Sequence, residues 1–141
     1  MKVFLGGTCN NSKWRDELIT MLAIDYFNPV VDDWTPECQD EELHQREICD
    51  WCLYVITPKM KGVYSIAEAV DDSNKRKVIF VYLKEDAGLV FDEAQLKSLD
   101  MVSKLIYKNK GVILESLEEV ATFLNCYATL SVEAPNMPYG V

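Results

Sequence analysis

Short apolar, β-branched runs alternate with amphipathic stretches along the chain, and the alternation repeats five times. Val3–Leu5 reads as a strand running into Gly6-Gly7. Trp14, Leu18, Ile19 and Leu22 then recur at helical spacing, with Ser12 placed as the N-cap. Tyr26–Val31 reads as a second strand, and Pro29 within it suits a sheet edge, where a missing N–H costs little. Asp32–Pro36 is expected to be a loop and Glu37–Ile48 a strongly charged helix. Cys52–Ile56 and Val78–Leu83 are almost wholly apolar, as strands covered on both faces are. Between them a loop, Thr57–Val63, leads to a helix over about Tyr64–Ser73. Phe91–Tyr107 reads mainly as a helix and Gly111–Leu114 as a short strand. Ser116 with Glu119 three residues on predicts a capping box for a last helix ending near Cys126.

Such alternation predicts a doubly wound α/β domain, a three-layer αβα sandwich around a five-stranded parallel sheet. With right-handed crossovers the natural strand order is 2-1-3-4-5. That order puts the Pro29 strand at one edge and the weak fifth strand at the other. A chain of 141 residues fits one such domain, expected over residues 1–127, with 128–141 an irregular tail carrying Pro135 and Pro138.

Composition narrows the ligand. The 23 acidic residues outnumber 14 basic ones, for a net charge of −9. This argues against a grip on a nucleic-acid strand, which needs clustered Lys and Arg. It leaves a small anionic ligand open, because backbone N–H groups can hold a phosphate on an acidic protein. No apolar run approaches the roughly 20 residues of a membrane helix. The opening MKVFLGGTCNNSKW lacks the apolar stretch of a signal peptide. A cytoplasmic protein with no membrane partner is expected. Five cysteines, an odd number, are expected to stay reduced.

In a doubly wound sheet, ligands bind outside the carboxyl ends of the strands, near the switch point between strands 1 and 3. Strand 1 delivers Gly6, Gly7, Thr8, Asn10 and Ser12 to that rim. Glycines let backbone approach a ligand and a helix start favours an anion, so this loop is either a binding loop or an ordinary turn. It is neither GxGxxG nor GxxxxGK[ST], so no dinucleotide cofactor is indicated. Strand 2 delivers Asp32, Asp33 and Trp34, either a site for hydroxyls and a stacked base or a plain turn. The helix after strand 3 carries Glu68 on one face with Tyr64, Ser65, Asp71 and Asp72. Glu68 is either a solvated glutamate or a carboxylate overlooking the cleft as nucleophile or base. Cys49-Asp50-Trp51-Cys52 is a C-x-x-C, but it follows a helix and enters a strand, the reverse of the redox arrangement. Cys38 and His44 match no common zinc spacing, and no metal is expected.

The string Phe4-Leu5-Gly6-Gly7-Thr8-Cys9-Asn10-Asn11-Ser12-Lys13-Trp14-Arg15 resembles the first strand and loop of nucleoside 2-deoxyribosyltransferase-like proteins. Asn28–Trp34, Tyr54–Pro58 and Gly62–Ala69 resemble later segments of the same family, in the same order, over roughly residues 3–84. The resemblance implies a flavodoxin-like fold and chemistry at the N-glycosidic bond of a (deoxy)nucleoside or nucleotide, by transfer or hydrolysis. It implies Glu68 as the attacking glutamate. The family's second acid lies eight residues before the aspartate that opens strand 3; with Asp50 as that aspartate, the position is Glu42. The first loop would hold sugar or phosphate, with Asp33 and Trp34 near the base; Ser65 stands close to the glutamate, and Tyr64 is a candidate for a phenol beside it.

Two positions depart from the family pattern. Members often carry a strand-1 tyrosine that hydrogen-bonds the nucleophile, where this chain has Val3 or Phe4. The Asp or Ser expected six residues before the glutamate is Gly62. A binding module of the same fold, without turnover, is the alternative. The resemblance also implies a homo-oligomer, with Ala134–Tyr139 a candidate to reach a neighbour's cleft. The acidity suits sugar hydroxyls and an oxocarbenium-like centre better than a polyphosphate.

Overall fold

The computed structural model describes residues 1–133, and side chains through Leu130. Its elements are β1 (Lys2–Gly7), α1 (Trp14–Ile19), β2 (Asp25–Phe27), α2 (Pro36–Ile48), β3 (Trp51–Ile56), α3 (Tyr64–Ser73), β4 (Val78–Tyr82), β5 (Glu85–Asp86), β6 (Leu89–Val90), α4 (Glu93–Lys108), β7 (Val112–Ile113) and α5 (Leu117–Glu133). The main sheet runs β2-β1-β3-β4-β7 with all pairs parallel, a flavodoxin-like three-layer arrangement. This is the expected topology, β7 being the fifth strand of the sheet.

The central strands divide their side chains between two apolar layers, as the period of a strand requires. Val3, Leu5, Trp51, Leu53, Val55, Ile79 and Val81 meet Trp14 and Leu18 of α1 and Leu117, Val120 and Leu124 of α5. Phe4, Cys52, Tyr54, Ile56, Val78 and Phe80 meet Ala69 of α3 and Leu99 and Ile106 of α4. Helix α2 contributes little to either layer. Of its residues only Gln45 and Arg46 are buried.

Several boundaries differ from the sequence reading. β2 stops at Phe27. Pro29 has no N–H to extend the ladder, and Val30 N donates instead to Asn28 Oδ1 at 3.1 Å. Residues 28–31 thereby leave the sheet. Ser12 does not cap α1: the N-cap position is Lys13, without a side-chain cap, and Ser12 Oγ donates to Asp86 Oδ2 at 2.6 Å. A small antiparallel hairpin, β5–β6, precedes α4. Its turn uses Ala87 and Gly88, both at positive φ, a turn that Ala-Gly signals less clearly than Asn-Gly does. α4 opens on an Asp92–Gln95 capping box, not at Phe91. At α5, Ser116 Oγ accepts from Glu119 N, while Glu119 Oε2 accepts from Glu115 N rather than closing the box on Ser116. α5 continues past Cys126 through Glu133, so residues 128–133 are helical, not irregular. Ala134–Tyr139 lies outside the described residues.

The end of β1 is sterically closed to side chains. Gly7 has φ +122, and a Cβ there would sit 2.0 Å from the Val55 carbonyl oxygen. Gly7→Ala is expected to cost at least ~3 kcal/mol, since neither the backbone angle nor the neighbouring strand can yield cheaply. Urea unfolding would measure it.

Candidate functional site

Gly6 and Gly7 bring the β1 backbone against β3. A Cβ at Gly6 would meet the Tyr54 ring at 2.6 Å, so the missing side chain is what admits that ring. Beyond Gly7 the chain turns under a buried arginine. Arg15 donates to Leu5 O (2.9 Å), Thr8 O (2.8 Å) and Gly7 O (3.2 Å). Trp14 Nε1 adds a bond to Thr8 O at 2.8 Å, and Thr8 Oγ1 accepts from Thr57 N at 3.0 Å. Five bonds therefore shape the loop mouth between β1 and β3.

Beside this mouth lies a cleft of about 250 Å³, near the lower end of small-molecule sites. Its floor is Gly6 and Gly7, one wall is Pro29–Val31 with Trp34, and the other is Ser65 and Glu68 of α3. Glu42 of α2 and the buried Arg15 complete it. Both carboxylates named from the sequence thus line one cavity, at the topological switch point where ligands bind in such sheets.

The two carboxylates feel that enclosure. Burial pushes the Glu68 carboxyl up to about 7; Arg46 pulls it down, and the charges of Glu42 and Asp72 push it further up. Burial also raises Glu42, against the pull of Arg46 and Arg15. The charge of Glu42 is thus one of the influences on Glu68.

Behind Glu68 is a buried polar network. Arg46 grips Asp72 with a two-pronged fork, Nε to Oδ2 at 3.0 Å and Nη2 to Oδ1 at 2.8 Å. Its remaining Nη1 donates to Glu68 Oε2 at 2.9 Å. Tyr54 donates to Asp72 Oδ2 at 2.5 Å. The Asp72 side chain is 1% exposed, so its charge depends on these partners.

The other residues singled out from the sequence are distributed around this centre. Trp34 lines the cleft with 63% of its surface exposed. Asp32 and Asp33 are exposed and do not line it. Thr8, Asn10, Tyr64 and Ser65 line an adjoining hollow of about 190 Å³ at the start of α3. Asn10 Nδ2 donates to Lys59 O, joining the first loop to the one after β3. Ser12 is committed to Asp86. Tyr64 is 71% exposed, so the buried phenol beside this network is Tyr54 of β3, facing Asp72 and not Glu68.

Sequence reasoning did not single out Arg15, Arg46 or Tyr54 for the site. Arg46 lies in a run of charged residues that reads as a solvated helix face, and Tyr54 in an apolar strand. The i, i+4 spacing of Glu68 and Asp72 was a usable signal for a shared cation.

Cys49 and Cys52 are buried free thiols whose pKa values burial raises, Cys52 to about 12. Such thiols are poor nucleophiles, the opposite of a redox pair. Among the described residues no group of His, Cys, Asp and Glu could hold a metal ion. Among them, too, no helix is long and apolar enough to cross a membrane.

The family model described as "nucleoside 2-deoxyribosyltransferase like" matches residues 1–87. That span runs from β1 through β5 and contains every residue lining the cleft. No curated protein and no solved structure matches the chain. With more than half of its length matched, and with the cleft and both glutamates inside the matched span, the chain belongs to the nucleoside 2-deoxyribosyltransferase-like family.

Proposed function

We propose that the protein cleaves the N-glycosidic bond of a nucleoside or nucleotide, with Glu68 as nucleophile and Glu42 as proton donor and acceptor. The observation that carries this reading is the placing of two partly buried carboxylates, from α2 and α3, on one cleft at the β1–β3 switch point of a chain of this family. In the first step a Glu68 oxygen attacks C1′ of the sugar while the C1′–N bond breaks. The bonding pair leaves with the base, which takes the Glu42 proton, and a glycosyl ester remains on Glu68. In the second step an incoming base, or water, gives a proton to Glu42 and attacks C1′. The ester bond breaks and both carboxylates return to their starting forms. Glu42, raised by burial, is suited to hold a proton to higher pH than a solvated glutamate. Glu68 keeps Oε1 without a hydrogen bond from the described residues, while Oε2 is anchored. An apolar wall of Pro29–Val31 and Trp34 suits a base.

The test is chromatographic. Incubating the protein with 2′-deoxyadenosine, 2′-deoxycytidine and their 5′-monophosphates, with and without free adenine, should release or exchange bases. No product from any of them refutes the reading. A second reading, binding without turnover, draws on the absence, among the described residues, of a phenol hydrogen-bonded to Glu68 and on its engagement by Arg46. It predicts a raised melting temperature with the same compounds and no product.

A further inference from the structure

We propose that Arg46 is the positioning residue of this site: anchored on Asp72 and Tyr54, it aims Glu68 and holds α2, with Glu42, over the cleft. This rests on the glycosyl-transfer reading for its catalytic consequence, but its structural content stands alone.

Helix α2 has almost no apolar attachment. Leu43 and Ile48 are exposed, at 46% and 54%, and only Gln45 and Arg46 are buried. Among the described residues, the ion pairs joining α2 to α3 both run through Arg46. Glu42 stands four residues before Arg46, one helical turn away on the same face. Glu68 stands four before Asp72 in the same relation on α3. Arg46 is thus a strut between two helices, each carrying one of the paired glutamates.

The geometry divides the labour of the guanidinium. Two N–H groups are spent on Asp72, which Tyr54 holds from the other side. The fork cannot rotate, so the third N–H fixes Glu68 Oε2 in direction as well as distance. Glu68 and Asp72 share Arg46 as their buried cation, and Arg76 makes a second, longer ion pair with Asp72. An ester at Glu68 would remove its negative charge and leave Arg46 on Asp72.

The charged groups around Glu68 are Arg46, Glu42 and Glu47 of α2, Asp71 and Asp72 of its own helix, and Arg15 across the cleft. Lys75 and Arg76 stand on the solvent side, Arg76 Nε lying 3.6 Å from Asp72 Oδ1. Removing Arg46 leaves the negative neighbours in place, so Glu68 must take up its proton at higher pH.

The test follows the Glu68 carboxyl carbon by NMR across pH in the full-length protein, assigned with E68Q, alongside base exchange on the deoxynucleosides named above. In Arg46→Met the Glu68 midpoint moves above that of wild type, and turnover falls about 100-fold with KM little changed. In Arg46→Lys the charge returns without the fork, so the midpoint moves back while turnover recovers only in part. Arg46→Lys carries the same test by its partial loss of turnover if Arg46→Met does not fold. A Glu68 midpoint identical in folded Arg46→Met and wild type overturns the proposal, as does full turnover in either variant. A wild type that exchanges no base, with the midpoint still moved, overturns the glycosyl-transfer reading and supports the hold of Arg46 on Glu68.

Discussion

Glu68→Gln is expected to lower base exchange by about ten-thousand-fold or more while raising the stability of the protein above pH 7. The loss of activity is that of a covalent nucleophile with no substitute. An amide has the shape of the carboxyl but does not form the glycosyl ester. The gain in stability follows from the raised pKa. Folding lifts the Glu68 carboxyl from an ordinary 4.5 to about 7. The folded protein therefore binds this proton more tightly than the unfolded chain does. That contribution is complete below about 4.5 and is lost as pH rises through about 7. At pH 8 the wild type carries an enclosed carboxylate that the variant lacks. Thermal melts of both at pH 5 and pH 8 measure the effect. The curves should lie close at the lower pH and separate at the higher, with wild type the less stable. A variant that melts lower at pH 8 would show that the Arg46 ion pair outweighs the burial of the charge. Residual exchange above about a hundredth of wild type would remove Glu68 from the nucleophile's role.

Asp72→Asn should cost ~3–5 kcal/mol, although it changes one atom. The Asp72 side chain is 1% exposed and accepts from Arg46 twice and from Tyr54 once. An amide keeps one acceptor oxygen but turns N–H groups toward the other donors, and the buried guanidinium loses its charged partner. For a chain of this length the cost corresponds to a drop in melting temperature on the order of 10 °C. Asp71→Asn, one position earlier, is the control. Its side chain is 56% exposed and its partner Lys75 is equally solvated, so the melting temperature should not change. Two adjacent aspartates on one helix then differ in effect because only one faces the network. Equal effects would mean that the Arg46–Asp72–Tyr54 network does not support the fold.

Glu68 and Glu42, which line one cleft, could be named from the sequence and its family likeness, and their supports could not. Glu68 stood out because it rides a helix starting at the carboxyl end of an apolar strand, where α/β sheets place their ligands. Glu42 came only through likeness to a family, since its own helix reads as charged all round. Arg46 lies in that same run and reads as solvent-facing. Its burial depends on Asp72 arriving from α3, 26 residues later. Tyr54 reads as one more apolar position of β3. Its hydroxyl finds a purpose only because Gly6 on the paired strand leaves room for the ring.

Periodicity along the chain determined the strands, most of the helices and the sheet order, because these follow from local alternation and from the handedness of parallel crossovers. It also located the first loop, since two glycines at a strand end signal close backbone approach. Tertiary structure decided which charges are enclosed. It turned Pro29–Val31 from a strand into a cleft wall, gave Ser12 to Asp86 and sent Arg15 under the first loop. Each of these outcomes depends on a partner distant in sequence. A side chain's ionisation and aim are set by what packs against it, and no spacing along the chain records that.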